Sequence, residues 1–451
     1  MIVVKFGGTS VGDAAAIERA AGIVTSRTAR RPVVVVSALA GVTNALLAIA
    51  EQATRGQLIG AIRGVEALRE RHLEQADLLL RGPVGADVGA ELSASFDELA
   101  SLAEALSVLG HLTPRSLDAI AAMGEQLSSA LVVAAFCARG IDAELVDARE
   151  VVITDEQFTA AVPQAERIAD ECRERILPLV RAGRIPVMGG FIGSTSAGVT
   201  TTLGRGGSDY TASLVGAALQ AEAIEIWTDV DGMLTADPRV VEGARLIDRI
   251  RFDEASELSA FGAKVLHPNT IAPAVRLGIP VFVYNSRRPE GTGTMITFEA
   301  PRRPVSAIAG RAGTTLVTVG SPRMVFAHGM LHEVLRAFER HHTSVNVVAT
   351  SEVSVTLTVD DPRHLDALVV DLRQVGDVAI ARNRGILAIV GAGLSDSTAS
   401  MARALAALDG LHLHMLSLSS TGINLTVVID GEQVPAAMRK LHAAFFPVAA
   451  A

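Results

Sequence analysis

The sequence predicts an α/β protein over its first 300 residues, with a mostly parallel sheet, followed by a smaller region built as an internal repeat. Three observations carry this. Short runs of Val and Ile alternate with helix-length segments up to residue 300. Those runs carry little polar alternation, as strands do when both sheet faces are covered. Beyond a stretch rich in Pro and Arg, one βαββα pattern occurs twice, about 70 residues apart.

Residues 2–6, 33–37, 143–146, 185–189, 223–228 and 280–284 read as strands. Helical patterns at 13–28, 44–54, 116–139 and 209–219 fall between them, which is the grammar of parallel βαβ units. Residues 57–109 offer no strand pattern and read as a helical insertion. Glu299-Ala300-Pro301-Arg302-Arg303-Pro304 reads as a linker. After it come a strand at 314–319, a helix at 329–341, paired strands at 344–350 and 353–360, and a helix at 362–374. The pattern then returns as a strand at 386–390, a helix at 397–408, strands at 411–418 and 423–430, and a helix at 434–446. Ser354-Val355-Thr356-Leu357-Thr358-Val359-Asp360 aligns with Asn424-Leu425-Thr426-Val427-Val428-Ile429-Asp430.

Of the 451 residues, 49% are hydrophobic and only 4% aromatic, so the cores must be built from Ala, Val and Leu. A formal net charge of −9 argues against a nucleic-acid backbone binder, while leaving room for a local basic pocket. Cys137 and Cys172 lie in apolar, helix-like stretches. Two isolated thiols make neither a disulfide framework nor a zinc site, and they read as small buried hydrophobes in a reducing cytoplasm. The first apolar stretch is broken by Lys5 and lacks a small-residue cleavage site, so no secretory leader is expected. The longest apolar runs, such as 130–138, are about half the ~20 residues a membrane span needs. A soluble protein with no membrane and no nucleic-acid partner is expected.

The first chemical motif is Lys5-Phe6-Gly7-Gly8-Thr9-Ser10. A lysine ends a buried strand, two glycines admit close backbone approach, hydroxyls follow, and Asp13 opens a helix. Those are the parts of an anion cradle. The P-loop string G-x-x-x-x-G-K-[ST] is absent. Gly8-Thr9-Ser10-Val11-Gly12 also fits the G-x-S-x-G elbow of serine hydrolases. That fold needs an oxyanion loop and several strands upstream, and only one strand precedes Ser10, so this reading ranks last.

The second motif runs from Thr200 to Tyr210, where three glycines flank Arg205 and Ser208-Asp209 are placed to cap the next helix. A cap needs neither three glycines nor a threonine run, whereas an arginine held by glycines suits carboxylate or phosphate recognition. The third is Trp227-Thr228-Asp229-Val230-Asp231-Gly232, with Asp237-Pro238-Arg239 after it. Its carboxylates suit ribose hydroxyls or a hydrated Mg²⁺, or simply form a polar loop. The fourth is Phe261-Gly262-Ala263-Lys264-Val265-Leu266-His267-Pro268, where Lys264 is a second candidate phosphate ligand and His267 reads as structural. Glu125 stands alone in an apolar helix and needs a partner, either a substrate ammonium group or a buried arginine.

In this order, together with residues 37–44, Gly124-Glu125 and Gly190-Phe191-Ile192-Gly193, the motifs resemble those of the aspartate kinases over nearly the whole chain. The resemblance implies the amino-acid kinase fold, a three-layer αβα sandwich with a mostly parallel sheet, over 1–300, with 57–110 as the helical insertion. Two ferredoxin-like βαββαβ ACT domains would follow, at 314–377 and at 305–312 plus 378–451. The implied reaction moves the ATP γ-phosphoryl group to the β-carboxylate of L-aspartate. It gives 4-phospho-L-aspartate, the first step toward lysine, threonine and methionine through the diaminopimelate route. That carboxylate is already ionised at pH 7, with a reference pKa of ~3.9, so no general base is needed.

By the same resemblance, Lys5 contacts the transferring phosphoryl group, Gly7, Gly8 and Thr9 line the phosphate loop, and Ser10 lies beside it. Arg205 binds the aspartate α-carboxylate and Glu125 its amino group, with Ser37, Thr43 and Ser208 near the substrate. Asp209 organises the basic groups. Trp227, Thr228, Asp229, Asp237 and Arg239 belong to the nucleotide pocket, and Lys264 reaches the ATP phosphates. Mg²⁺ arrives with ATP, without dedicated protein ligands. Met324, Gly329, Met330, Leu331, Val345, Thr350, Ser351 and Glu352 match the effector positions of lysine-sensitive members. Asn346 stands where those members have an aspartate, and Ala327 where they have a serine. Lysine therefore leads as the effector, ahead of threonine or a lysine–threonine combination, bound where ACT domains pair in a homodimer or homotetramer. A sensor whose kinase no longer works, and a kinase for glutamate or an acetylated derivative, are the alternatives. Retention of the polar set argues against the first, and the ACT pair with Glu125 against the second.

Overall fold

The computed structural model describes residues 1–261, 268–321, 329–361 and 363–447. Lys264, His267, Met324 and Ala327 lie outside them. The chain divides into two compact units, Met1–Met233 with Val265–Phe298, and Leu234–Lys264 with Glu299–Ala451.

The first unit opens with β1 (Ile2–Phe6), α1 (Ala14–Arg27), β2 (Pro32–Val36) and α2 (Val42–Thr54). The insertion is two long helices, α3 (Leu58–Leu79) and α4 (Pro83–Leu109), followed by α5 (Pro114–Ala138). Then come β3 (Ala143–Leu145), α6 (Ala148–Val151), β4 (Ile153–Thr154), α7 (Ala165–Glu171) and α8 (Leu177–Arg181), the last two joined by a π-helical turn over Cys172–Ile176. After these follow β5 (Ile185–Gly189), β6 (Ile192–Thr195), β7 (Thr200–Thr202), α9 (Gly207–Ala218) and β8 (Ile224–Thr228). The second unit takes β9 (Arg249–Ile250) and α10 (Phe252–Ala260), and the first closes with α11 (Ala272–Leu277), β10 (Val281–Asn285) and β11 (Thr294–Ile296).

Its main sheet runs β3-β5-β2-β1-β8-β10-β11. Every pairing from β3 to β10 is parallel, and β11 is antiparallel. Lys5 lies opposite both Val35 and Ile226. The β1 and β2 side chains are buried on both faces, which is why these strands read as unbroken Val and Ile. Parallel strands put their carboxyl ends on one edge, where open α/β sheets hold ligands. There the loops after β1, β2 and β5 begin at Gly7, Ser37 and Gly190.

Several elements escaped the sequence reading. The small sheet β4-β6-β7 has strands of two to four residues, too short for periodicity to register. Helices α7 and α8 are interrupted at the π turn. Among the described residues, α5 alone is long and apolar enough by composition to cross a membrane, but most of it is buried within the fold as a core helix. Cys172 is buried, and burial pushes its thiol up to about 12. Cys137, expected to be buried, is instead exposed, because it falls in the last turn of α5.

The second unit continues with β12 (Ala307–Gly320), α12 (Met330–Arg340), β13 (Val348–Thr350), β14 (Ser354–Val359) and α13 (Leu365–Leu372). It ends with β15 (Asp377–Val390), α14 (Thr398–Ala407), β16 (Met415–Leu418), β17 (Asn424–Asp430) and α15 (Val434–Phe445). One six-stranded antiparallel sheet runs β13-β14-β12-β15-β17-β16. The two copies of the repeat meet through β12 and β15, which pair along their whole lengths from Ala307↔Val390 to Gly320↔Asp377. These strands are much longer than the six and five residues expected, because each serves both halves. The buried Glu254 on α10 accepts from Ser306 Oγ and Ala392 N, each at 2.7 Å, and so ties that helix to the sheet.

Candidate active site

The carboxyl ends of β1, β2 and β5 open into a cavity of about 610 Å³. Lys5, Gly8, Ser37, Thr43, Glu125, Arg205, Ser208 and Asp209 all line it, so eight residues singled out in the sequence converge.

Lys5 is 8% exposed, and its Nζ lies 2.6 Å from Asp209 Oδ1. Asp209 sits in the first turn of α9, whose N-cap is Gly206 at φ +73°. The expected Ser208-Asp209 cap is therefore not formed. A left-handed glycine takes that position, and Ser208 and Asp209 are released to line the cavity. Arg205 stands between Gly204 and Gly206, both at φ +73°, exposed and without an ion pair among the described residues. A Cβ on Gly190 would come within 2.7 Å of Ser208 Cα, so the β5 loop and the start of α9 are in direct contact. Phe191, also on the wall, holds φ +66°, a strained value for an aromatic residue.

Glu125 reaches the cavity from α5 and is 3% exposed. Its Oε1 accepts from Ala38 N at 3.2 Å, while Oε2 is buried without a partner. Burial pushes its carboxyl up to about 8, against smaller downward pulls from the Ala38 N–H and the charge of Lys5. No arginine pairs with it among the described residues, which removes one of the two partners the sequence left open.

Two turns before Glu125 on the same helix, Asp118 was missed. It is 1% exposed and lines the cavity. Its Oδ2 accepts from Thr159 N at 2.9 Å and Thr202 N at 3.0 Å, and its Oδ1 from Thr202 Oγ1 at 2.7 Å. It thereby fixes β7, the strand that leads to Arg205. The signal available was the one that flagged Glu125, a lone carboxylate in an apolar helix.

Ser10 is buried, bonded to Trp227 O at 3.1 Å and Ser286 Oγ at 2.8 Å. This hydroxyl is a brace, and the hydrolase elbow is excluded. Gly7 N also donates to Trp227 O, at 2.9 Å. The Trp227 ring is fully buried between Phe6 and Tyr284, so this residue meets the glycine loop through its backbone. Gly7, Thr9, Thr228 and Asp229 are not on the cavity wall. Asp237 and Arg239 belong to the second unit, where they pair at 2.7 Å.

Of the effector candidates, Gly329 caps α12, Met330 and Leu331 open it, and Thr350, Ser351 and Glu352 form the exposed end of the β13–β14 hairpin. Val345 is half-buried, and the exposed Asn346 donates its backbone N–H to Thr358 O at 3.1 Å.

Residues 1–285 match the amino acid kinase family, and residues 387–445 an ACT domain. The chain is 37% identical over 455 residues to lysine-sensitive aspartokinase 3 of Escherichia coli (strain K12), covering 99% of each. It is 33% identical to the chloroplastic aspartokinase 3 of Arabidopsis thaliana, spanning 98% of this chain and 81% of that protein. The crystal structure of E. coli aspartokinase III with aspartate and ADP, in its R-state, matches with a TM-score of 0.86 at 36% identity, covering 99% of this chain and 100% of that one. The T-state structure of the same enzyme with lysine and aspartate matches at 0.84, also at 36% identity and covering 99% of each chain.

Proposed function

The chain belongs to the aspartokinase family and is an aspartate kinase, and we propose that the cavity at the ends of β1, β2 and β5 is where it transfers the phosphoryl group. One observation carries this reading: an unsatisfied carboxylate oxygen, an unpaired arginine and a buried lysine line the same space. Glu125 Oε2 accepts the substrate ammonium group. Arg205 takes the α-carboxylate in a bidentate grip. The β-carboxylate is left facing Lys5, with Ser37, Thr43 and Ser208 around it.

The chemical difficulty is bringing an anion to a polyanion. Lys5 supplies positive charge at the phosphoryl group, and Asp209 aims it. The helix starts at Gly41 and Gly206 add N–H groups and the positive ends of two helix dipoles. Held in line, a β-carboxylate oxygen bonds to the γ-phosphorus as the bond from that phosphorus to the bridging oxygen breaks and ADP leaves, with no proton transfer, and the work is positioning and charge stabilisation. The nucleotide is ATP, met by Gly7, Gly8, Thr9, Thr228 and Asp229. Among the described residues no three His, Cys, Asp or Glu side chains converge. In this reading Mg²⁺ would come with the nucleotide and would supply charge neutralisation there.

The proposal extends to organisation. Residues 1–300 form the catalytic domain, and 314–377 and 305–312 plus 378–451 form two ACT domains that share β12 and β15. They assemble a homodimer or homotetramer and bind lysine, with threonine as the second candidate because Asn346 is uncharged. A cytoplasmic location belongs to the same reading.

The test is aspartate-dependent ATP turnover in Lys5→Ala. Turnover should fall by about 10²-fold or more while the variant stays folded. Near-parental turnover would remove Lys5 from the phosphoryl site.

A further inference from the structure

Arg71 lies outside the cavity, on the insertion helix α3, and no sequence motif draws attention to it. Its two terminal nitrogens reach different loops. One donates to Ala40 O at 2.8 Å and the other to Gly12 O at 3.0 Å. Ala40 belongs to the loop after β2 and lines the cavity, and Gly12 follows the glycine loop after β1. One turn further along α3, the buried Gln75 accepts from Ala14 N at 2.8 Å. No carboxylate pairs with Arg71 among the described residues, so these two carbonyls are what its charge is spent on.

The gripped loops are packed without slack. A Cβ on Gly8 would stand 2.9 Å from Ala38 O, and one on Gly12 would stand 3.0 Å from Gly8 O and 3.3 Å from Ala40 Cβ. No peptide among the described residues is cis, and a trans peptide points its N–H opposite to its C=O. Fixing Ala40 O on Arg71 therefore aims the Gly41 N–H the other way, and Gly41 lines the cavity. A carbonyl oxygen turned toward an incoming phosphate or carboxylate would repel it. A guanidinium that captures two such oxygens removes that repulsion and sets the spacing between the loops at once.

We propose that Arg71 is a positioning residue for phosphoryl transfer, locking the glycine loop to the substrate loop and holding their carbonyls away from the anionic substrates. The insertion is then a working brace of the active site. The inference rests on the active-site reading above.

The test uses the full chain carrying Arg71→Met or Arg71→Lys, with folding checked by circular dichroism and kinetics measured well below each unfolding midpoint. In Arg71→Met, KM for aspartate and KM for ATP should rise together by about tenfold, with kcat reduced. Arg71→Lys, whose single ammonium cannot bridge both carbonyls, should fall between Met and the parent. Folded Arg71→Met with kcat and both KM values within about twofold of the parent, whatever its melting temperature, would overturn the proposal. Should Arg71→Met fail to fold, parental kinetics in Arg71→Lys would overturn it instead. Lys5→Met is assayed alongside. Full turnover there would bring down the active-site reading, whereas an inactive Lys5→Met beside an unaltered Arg71→Met would bring down this inference alone.

Discussion

Glu125 presents one bonded carboxylate oxygen and one bare one to the cavity. With its carboxyl pushed up to about 8 by burial, the empty site holds a proton near pH 7. An arriving ammonium group favours the ionised form, so aspartate binding should expel that proton. Calorimetry in buffers of different ionisation enthalpy should find close to one proton released per aspartate near pH 7, and none in Glu125→Gln. The stability consequence has a definite sign. The folded value, about 8, exceeds the ordinary 4.5, so the contribution is fully present below 4.5 and is lost as pH rises through 8. The unfolding temperature of the ligand-free protein should decline less over that window in Glu125→Gln than in the parent. Asp118 makes a different prediction. Asn in its place would turn an amide toward donors that now meet a carboxylate, costing about 1–3 kcal/mol and raising KM for aspartate as β7 loosens. Thermal melts and initial rates check both parts. Glu125 was legible as a lone carboxylate in an apolar helix, and Gly124-Glu125 then took its place among the motifs of the resemblance. Asp118 carried the same physical signal without one, and Arg71 carried none, since its partners are backbone carbonyls of loops about 30 and 60 residues away.

At the level of elements, the parallel strands were legible because burial on both faces writes itself as runs of Val and Ile. The β6–β7 hairpin was not, since strands this short are defined by their partners. The lengths of β12 and β15 were hidden for another reason. Their halves belong to different copies of the repeat, and the polar residues at the crossing, Arg311, Arg382 and Arg384, interrupt the apolar runs by which strands are read. Gly385 sits in that crossing. A Cβ there would overlap the Val434 side chain at the start of α15. Gly385→Ala should therefore destabilise the second unit by about 1–3 kcal/mol, read from urea unfolding. An unchanged midpoint would mean that α15 shifts freely on the sheet.

For the whole molecule, a charge in the second unit is what would separate lysine from threonine as effector. Lysine differs from threonine by a second ammonium group, and an ammonium group calls for an anion. At Asn346 this chain offers a neutral amide. The backbone N–H of Asn346 already bonds Thr358 O, so Asp can replace it without disturbing that link. A new charge-assisted hydrogen bond at an exposed site is worth roughly 1–1.5 kcal/mol, or about tenfold in affinity. Asn346→Asp should thus lower the half-inhibitory concentration of lysine about tenfold and leave any threonine inhibition unimproved, because threonine has no second cation to pair. The effect should shrink with added salt, as an exposed ion pair must. Equal strengthening toward both amino acids would point to a general change in the unit. No change toward lysine would mean that its side chain does not reach position 346, and the effector site would have to be sought elsewhere on α12 and the β13–β14 hairpin.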